Sequence, residues 1–173
     1  MAAAERARAL RLMGFDVDGV LTDGMLYYTS VGDEMKAFSV RDGHGLKMLR
    51  EAGVEPVIIT GRRSRALELR AENLGIATLL QGVEDKRAAM AQLLAARSLE
   101  WRQCGYMGDD VVDLPVLRAC GFAATVPDGH ALVKQHVHYV AQLPAGRGAV
   151  REVCEFILRA RGALDAALEP YLA

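Results

Sequence analysis

Short apolar runs alternate with amphipathic stretches along almost the whole chain, and that alternation sets the expected architecture. Leu10 to Phe15, Glu55 to Thr60, Thr78 to Leu80, Gly105 to Met107 and Phe122 to Thr125 read as short buried strands bounded by glycine or polar turns. Between them, Gly45 to Ala52, Ser64 to Leu74, Glu84 to Ala96 and Val111 to Ala119 carry helical spacing. Ser64 opens its helix, Gly75 stops it, and Gly43 and Gly45 around His44 read as another helix entry. Strands alternating with helices predict an α/β fold: a doubly wound, Rossmann-like parallel sheet with helices on both faces. Its strand C-termini then share one edge, where ligands bind. One interval departs from the alternation. From Met25 to Phe38 the runs LYY and MKAF flank a Gly-Asp turn, which predicts a β-hairpin projecting after the first strand. Arg161 to Ala173, rich in alanine and leucine, reads as a mobile or intersubunit tail.

Length and composition narrow the function classes. At 173 residues the chain fits one domain, 1–173, with a sizeable core and no room for a second catalytic domain. Hydrophobic residues at 51% and charged residues at 25% are the balance of a globular protein. A formal net charge of -1 excludes a nucleic-acid partner held by bulk electrostatics, so any anionic ligand must meet a local cluster. Cys104, Cys120 and Cys154 are odd in number and widely spaced, which predicts reduced, buried thiols rather than a disulfide framework or a zinc site. Arg6, Arg8 and Arg11 stand beside an apolar run too short and too charged for a signal core. No run approaches the roughly 20 apolar residues that span a bilayer. The expectation is a cytoplasmic protein with no membrane partner.

The candidate chemistry sits where the predicted strands end. FDVDGVLTD, from Phe15 to Asp23, places Asp16 and Asp18 at a strand tip with Gly19 allowing a tight bend. Two carboxylates so close repel each other unless a cation lies between them, and a hard ion such as Mg²⁺ takes oxygen ligands. A lone pair of this kind also serves as turn or N-cap residues. The second acidic cluster, GDDVVDL from Gly108 to Leu114, decides against that reading, because it arrives at the same sheet edge. Asp109, Asp110 and Asp113 are costly to gather near Asp16 and Asp18 without a metal. Asp109 reads as the direct ligand, with Asp110 and Asp113 as orienting groups behind it. IITGR, ending at Arg62, offers the Thr60 hydroxyl and the free backbone N–H groups around Gly61 to a phosphate oxygen. Lys86, in the first turn of a helix, is badly placed for the macrodipole, a mild sign of another duty.

Taken in order, DVDG, TG, K and GDDxxD resemble the haloacid dehalogenase superfamily from Phe15 to Leu114. The resemblance implies a phosphatase in which Asp16 is the nucleophile that forms an aspartyl-phosphate. It implies Asp18 as general acid and then general base, with Thr60 and Lys86 holding the phosphoryl group. Mg²⁺ would be bound by Asp16, Asp109 and the main-chain carbonyl of Asp18. The intervals from Asp18 to Thr60 and from Thr60 to Lys86 are too short for a cap domain. An uncapped site stays open to water unless a neighbour closes it, which predicts a homo-oligomer.

Leu21 to Leu49 and the late GRGAVREV, Gly146 to Val153, resemble the uncapped subfamily that hydrolyses 3-deoxy-D-manno-octulosonate 8-phosphate in lipopolysaccharide precursor synthesis. That likeness implies a homotetramer and an acidic sugar phosphate as substrate. Such a sugar needs a guanidinium for its carboxylate; Arg41 and Arg62 are the favoured candidates, with Arg65 and Arg70 behind them. The rival readings are a phosphatase of a nine-carbon, sialic-type sugar phosphate, a phosphotransferase, and a non-catalytic oligomerisation module. Tyr27, Tyr28 and Phe38 are expected to pack in an oligomer barrel or against their own sheet, because a lone hairpin is marginal. His44 reads as a polar surface or interface residue.

Overall fold

The computed structural model describes residues 2–172. The chain passes from α1 (Ala3–Arg8) into β1 (Leu12–Phe15), then through the hairpin β2 (Tyr27–Tyr28) and β3 (Glu34–Met35) to α2 (Val40–Glu51). Next come β4 (Glu55–Thr60), α3 (Arg65–Leu74), β5 (Thr78–Gln81) and α4 (Lys86–Ala96). The second half holds β6 (Cys104–Met107), α5 (Leu114–Leu117), β7 (Phe122–Thr125), α6 (Ala131–Lys134), β8 (Tyr139–Val140), α7 (Ala149–Ala160) and α8 (Leu164–Leu168). Six strands form one sheet in the order β5-β4-β1-β6-β7-β8, parallel throughout. The hairpin pairs antiparallel and stands apart.

Two apolar clusters cover the two faces, and the alternation of side chains along each strand assigns residues to them. Met13, Phe15, Ile58, Met107 and Phe122 face α2, α3 and α7. Leu12, Val57, Ile59, Tyr106 and Ala123 face α4, α5 and α6. The five expected strands and the hairpin are present, and the sheet is doubly wound as the pattern predicts. Five elements escaped it, among them α6 and the twelve-residue helix α7. The short edge strand β8 is two residues long, α1 follows an unpatterned start, and the tail packs Leu164 and Leu168 on the core. Ala173 lies outside the described residues. Cys104, Cys120 and Cys154 are buried and unbridged, and burial pushes the Cys104 thiol up to about 12.

The glycines around His44 do not open a helix. α2 already begins at Val40, capped by Ser39, whose hydroxyl accepts the Asp42 N–H. Gly43 and Gly45 lie inside it because neighbours leave no room for a side chain. Arg70 fills the space beside Gly43, and a Cβ on Gly45 would stand 3.0 Å from the Arg151 backbone of α7. The same close approach explains Asp42. α7 has Gly148 at its N-cap position and so no side-chain cap of its own, and the buried Asp42 carboxylate reaches across to accept the N–H groups of Gly148 (3.2 Å) and Arg151 (2.8 Å). Burial pushes the Asp42 carboxyl upward against the pull of these donors. Asp42→Ala strands two helix-terminal donors between packed helices and is expected to destabilise the fold by about 1–3 kcal/mol in urea denaturation. An unchanged midpoint would remove Asp42 as the cap of α7.

Candidate active site

Register brings the two acidic motifs together before any side chain is considered. β1 lies between β4 and β6, with Phe15 opposite Ile58 on one side and Met107 on the other. The strand order reverses direction at β1, so its C-terminal tip faces the crevice where this fold class binds ligands. Asp16 follows Phe15 and donates its N–H to Met107 O at 2.9 Å, while Asp109 stands two residues past Met107. Thr60 ends β4 and Lys86 opens α4. Gly19 has φ +83°, and the Asp109 carboxylate occupies the space its side chain would take. The late GRG segment has a comparable reason. Gly146, at φ +64°, leaves only 2.7 Å between its would-be Cβ and the backbone of Thr22 and Asp23, locking that loop against the first motif.

One ammonium pairs with two of three clustered carboxylates here. Asp16, Asp109 and Asp113 each present an oxygen within 4.8 Å of the others. Lys86 Nζ lies 2.8 Å from Asp16 and 2.6 Å from Asp113, which is fully buried. Asp113 also accepts the N–H groups of Asp109 (3.1 Å) and Asp110 (3.3 Å), so it shapes the turn that carries Asp109. Asp110 caps the Val111 N–H at 2.7 Å and faces the cleft. Burial, then the Asp113 charge, pushes Asp16 up to about 6 despite Lys86. Burial together with Asp16, Asp113 and Asp110 pushes Asp109 up to about 7. Burial alone would lower the Lys86 ammonium, but Asp16 and Asp113 outweigh it and raise it. An all-oxygen set with this excess of negative charge fits a hard divalent cation.

A cleft of about 570 Å³ opens above this cluster, lined by Asp16, Asp18, Thr60, Gly61, Arg62 and Lys86 on one side and by Asp109, Asp110 and Val112 on the other. Val83, Glu84, Gly19 and Gly24 complete it. Arg41 is not among these residues. Its guanidinium donates to the Arg147 carbonyl at 3.3 Å, because α2 begins one residue before it and turns it toward that loop. Arg65 pairs with Glu68 at 2.7 Å, and Arg70 donates to the Ser39 carbonyl at 3.0 Å, so neither reaches the cleft. The Asp18 carboxylate, which lies outside the three-carboxylate cluster, pairs with Lys36 and with Arg62, the latter at 3.5 Å. Glu34 and Lys36, both from the hairpin, escaped the sequence reading. Their signal was present: Glu34 on β3 and Lys36 just past its end are two apart, the spacing that shares a face in extended backbone, and they carry opposite charges. His44 meets Tyr171 of the tail edge-on, 5.3 Å between ring centres.

Asp16 and Asp109 bind protons more tightly folded than unfolded, so the stability they contribute is complete below their unfolded values near 3.8 and is lost as pH rises through about 6 and 7. Protein kept in EDTA is expected to melt several degrees higher at about pH 5 than at about pH 8. Added Mg²⁺ should flatten that slope by favouring the ionised carboxylates. Identical slopes with and without Mg²⁺ in a thermal-shift measurement would refute the shared-cation reading.

No family model matches the chain. It is 46% identical over 163 residues to 3-deoxy-D-manno-octulosonate 8-phosphate phosphatase KdsC of Yersinia pestis, covering 94% of this chain and 87% of that protein. Among solved structures, 3-deoxy-D-manno-octulosonate 8-phosphate phosphatase from Moraxella catarrhalis, in complex with magnesium ion, phosphate ion and KDO, superposes with a TM-score of 0.96 at 41% identity. That match covers 98% of this chain and 97% of the other. The cobalt-bound deoxy-D-mannose-octulosonate 8-phosphate phosphatase from Haemophilus influenzae gives 0.91 at 37% identity, covering 97% and 99%. With the motif residues gathered at one sheet edge and these relatives matched almost end to end, the chain belongs to the 3-deoxy-D-manno-octulosonate 8-phosphate phosphatase family of the haloacid dehalogenase superfamily.

Proposed function

We propose that this chain is a magnesium-dependent phosphatase that hydrolyses 3-deoxy-D-manno-octulosonate 8-phosphate to the free sugar acid and phosphate, in lipopolysaccharide precursor synthesis. The observation that carries the reading is the convergence of Asp16, Asp109, Asp113 and Lys86 beneath a cleft that Thr60 also lines. An oxygen of Asp16 attacks phosphorus, the ester P–O bond breaks, and the leaving oxygen takes a proton from the Asp18 carboxyl. Water then attacks the aspartyl-phosphate and gives its proton to Asp18, and Asp16 departs as a carboxylate. Thr60, the backbone N–H groups around Gly61 and the Lys86 ammonium hold the phosphoryl oxygens. Asp16, Asp109 and the main-chain carbonyl of Asp18 would hold the Mg²⁺, which offsets the negative charge of nucleophile and phosphate when bound. Asp113 and Asp110 orient Asp109. Arg62 is the candidate for the sugar carboxylate, since a guanidinium has five N–H donors and only part of this one is engaged, by Tyr28, Glu34 and Asp18.

Asp16→Asn should leave the thermal transition in place and reduce turnover by about a thousandfold or more, and substantial remaining activity would defeat the nucleophile assignment. Phosphate release against a panel of sugar phosphates, with Mg²⁺ and then with EDTA, identifies the leaving group. Preference for a nine-carbon sugar acid phosphate would change the sugar and keep the chemistry. Transfer of phosphate to a second hydroxyl would change the reaction.

The assembly we infer is a homotetramer of single, uncapped domains. Support comes from the hairpin: Met25, Leu26, Tyr27, Tyr28, Val31 and Met35 are all exposed on a two-stranded ribbon too small to be stable alone. Three buried, unbridged thiols suit a reducing compartment, which supports the cytoplasm. No helix among the described residues is long and apolar enough to cross a membrane. Light scattering should give four times the chain mass, and a stable, fully active monomer would overturn the assembly.

A further inference from the structure

Lys36 combines two properties that rarely meet. The hairpin that carries it is exposed, with Met35 beside it at 55%, yet its own side chain is 2% exposed. A buried ammonium is costly unless it is paired, and this one is paired twice, with Asp18 and with Glu34 at 3.3 Å. The second carboxylate oxygen of Glu34 meets Arg62 Nη2 at 2.5 Å, and Arg62 Nε returns to the other oxygen of Asp18 at 3.5 Å. The four side chains therefore close a ring of alternating charge, Asp18 to Lys36 to Glu34 to Arg62 and back. Each of the two carboxylates is divided between two cations, one oxygen to each, so neither can rotate without breaking a contact. Burial would raise the Glu34 carboxyl, but Arg62 and Lys36 outweigh it and hold it low, so it bridges as an anion.

We propose that Lys36 and Glu34 are positioning residues that fix the Asp18 carboxylate for hydrolysis of the aspartyl-phosphate. The inference rests on the reading of Asp18 given above and deepens it. In that half-reaction Asp18 must act as a carboxylate: water attacks phosphorus, its proton goes to Asp18, and the P–O bond to Asp16 breaks. Flanking cations aim such a carboxylate and keep it from swinging onto the three-carboxylate cluster nearby. In the first half-reaction the nucleophile is Asp16, which the ring does not touch. The ring therefore bears on both steps in which Asp18 moves a proton, and on the second step alone when the leaving group departs without one.

The test separates the two steps with p-nitrophenyl phosphate, whose leaving group departs without a proton, on the full chain with Mg²⁺. kcat/KM reports the steps through release of nitrophenolate, and kcat includes hydrolysis of the intermediate. Lys36→Met is expected to lower kcat roughly tenfold or more, with kcat/KM held within about twofold and aspartyl-phosphate accumulating in acid-quenched samples. Lys36→Arg should recover most of the rate, and Glu34→Gln should shift the same quantities less. Equal losses in kcat and kcat/KM with no trapped intermediate would overturn the proposal, as would a raised KM for the sugar phosphate at unchanged kcat. If Lys36→Met does not fold, Glu34→Gln carries the test, and wild-type kinetics there would be fatal. Asp18→Asn distinguishes the two layers. Its own failure to accumulate intermediate would remove the reading of Asp18. Accumulation there, with none in Lys36→Met, would remove the ring alone.

Discussion

Mutual repulsion among Asp16, Asp109 and Asp113 is the constraint that the rest of the molecule satisfies. Three carboxylates whose oxygens come within 4.8 Å of one another do not collect by hydrophobic burial, which penalises each of them. They are held there because β1 and β6 are neighbours in a parallel sheet and because Lys86 enters from α4 as the shared counter-ion. Moving the Asp109 turn away would relieve the charge. Both backbone donors of that turn are bound by Asp113, however, and its floor is Gly19. The price appears as raised values for Asp16 and Asp109, near 6 and 7, which burial and like charge impose.

The sheet was legible because its strands are buried on both faces and read as short apolar runs between turns. β4 and β7 fall where the pattern puts them, and β1, β5 and β6 differ by one or two residues. What the pattern missed follows from physics it does not encode. β8 has two residues, too few for a period, and exists because β7 offers an edge. α2 begins ahead of its glycines because Gly43 and Gly45 answer to α3 and α7 across the core, whereas local propensity treats a glycine pair as a boundary. Asp42 was visible only as the neighbour of Arg41. Its partners lie more than a hundred positions later, and only the packing of α2 on α7 identifies it as a cap.

The site divides the same way. Asp16, Asp109, Asp113, Thr60 and Lys86 could be placed from sequence because each sits at the end of a regular element, and regular elements deliver their ends to one edge. The arginines could not. Arg62 stands two residues past β4 and reaches the cleft, but Arg41, one residue inside α2, faces the Arg147 loop, and Arg65 and Arg70 are spent on α3 and its neighbour. A long flexible side chain ends several ångströms from its Cα, so its destination depends on helix rotation, which periodicity fixes only coarsely. Lys86 was found by the opposite route, as a cation where the helix dipole disfavours one.

Between β1 and α2 the motif loop lines the cleft through Asp16, Asp18, Gly19 and Gly24, and the hairpin meets that loop through Lys36. Its sequence divides the work by side. Met25, Tyr28, Val31 and Met35 present apolar surface outward, while Glu34 and Lys36 turn their charges inward to Asp18 and Arg62. Alternating exposure through Glu34 and Met35 of β3 and Lys36 just past it makes this possible, with charge on one face and a thioether on the other. A helix in the same place would have spread those positions around its axis. A two-stranded ribbon is marginal by itself, and the inward ion pairs tie it to the motif loops on one side. Among the described residues the outward apolar face stays exposed, so a partner packing on it would also press on the ion pairs that hold Asp18.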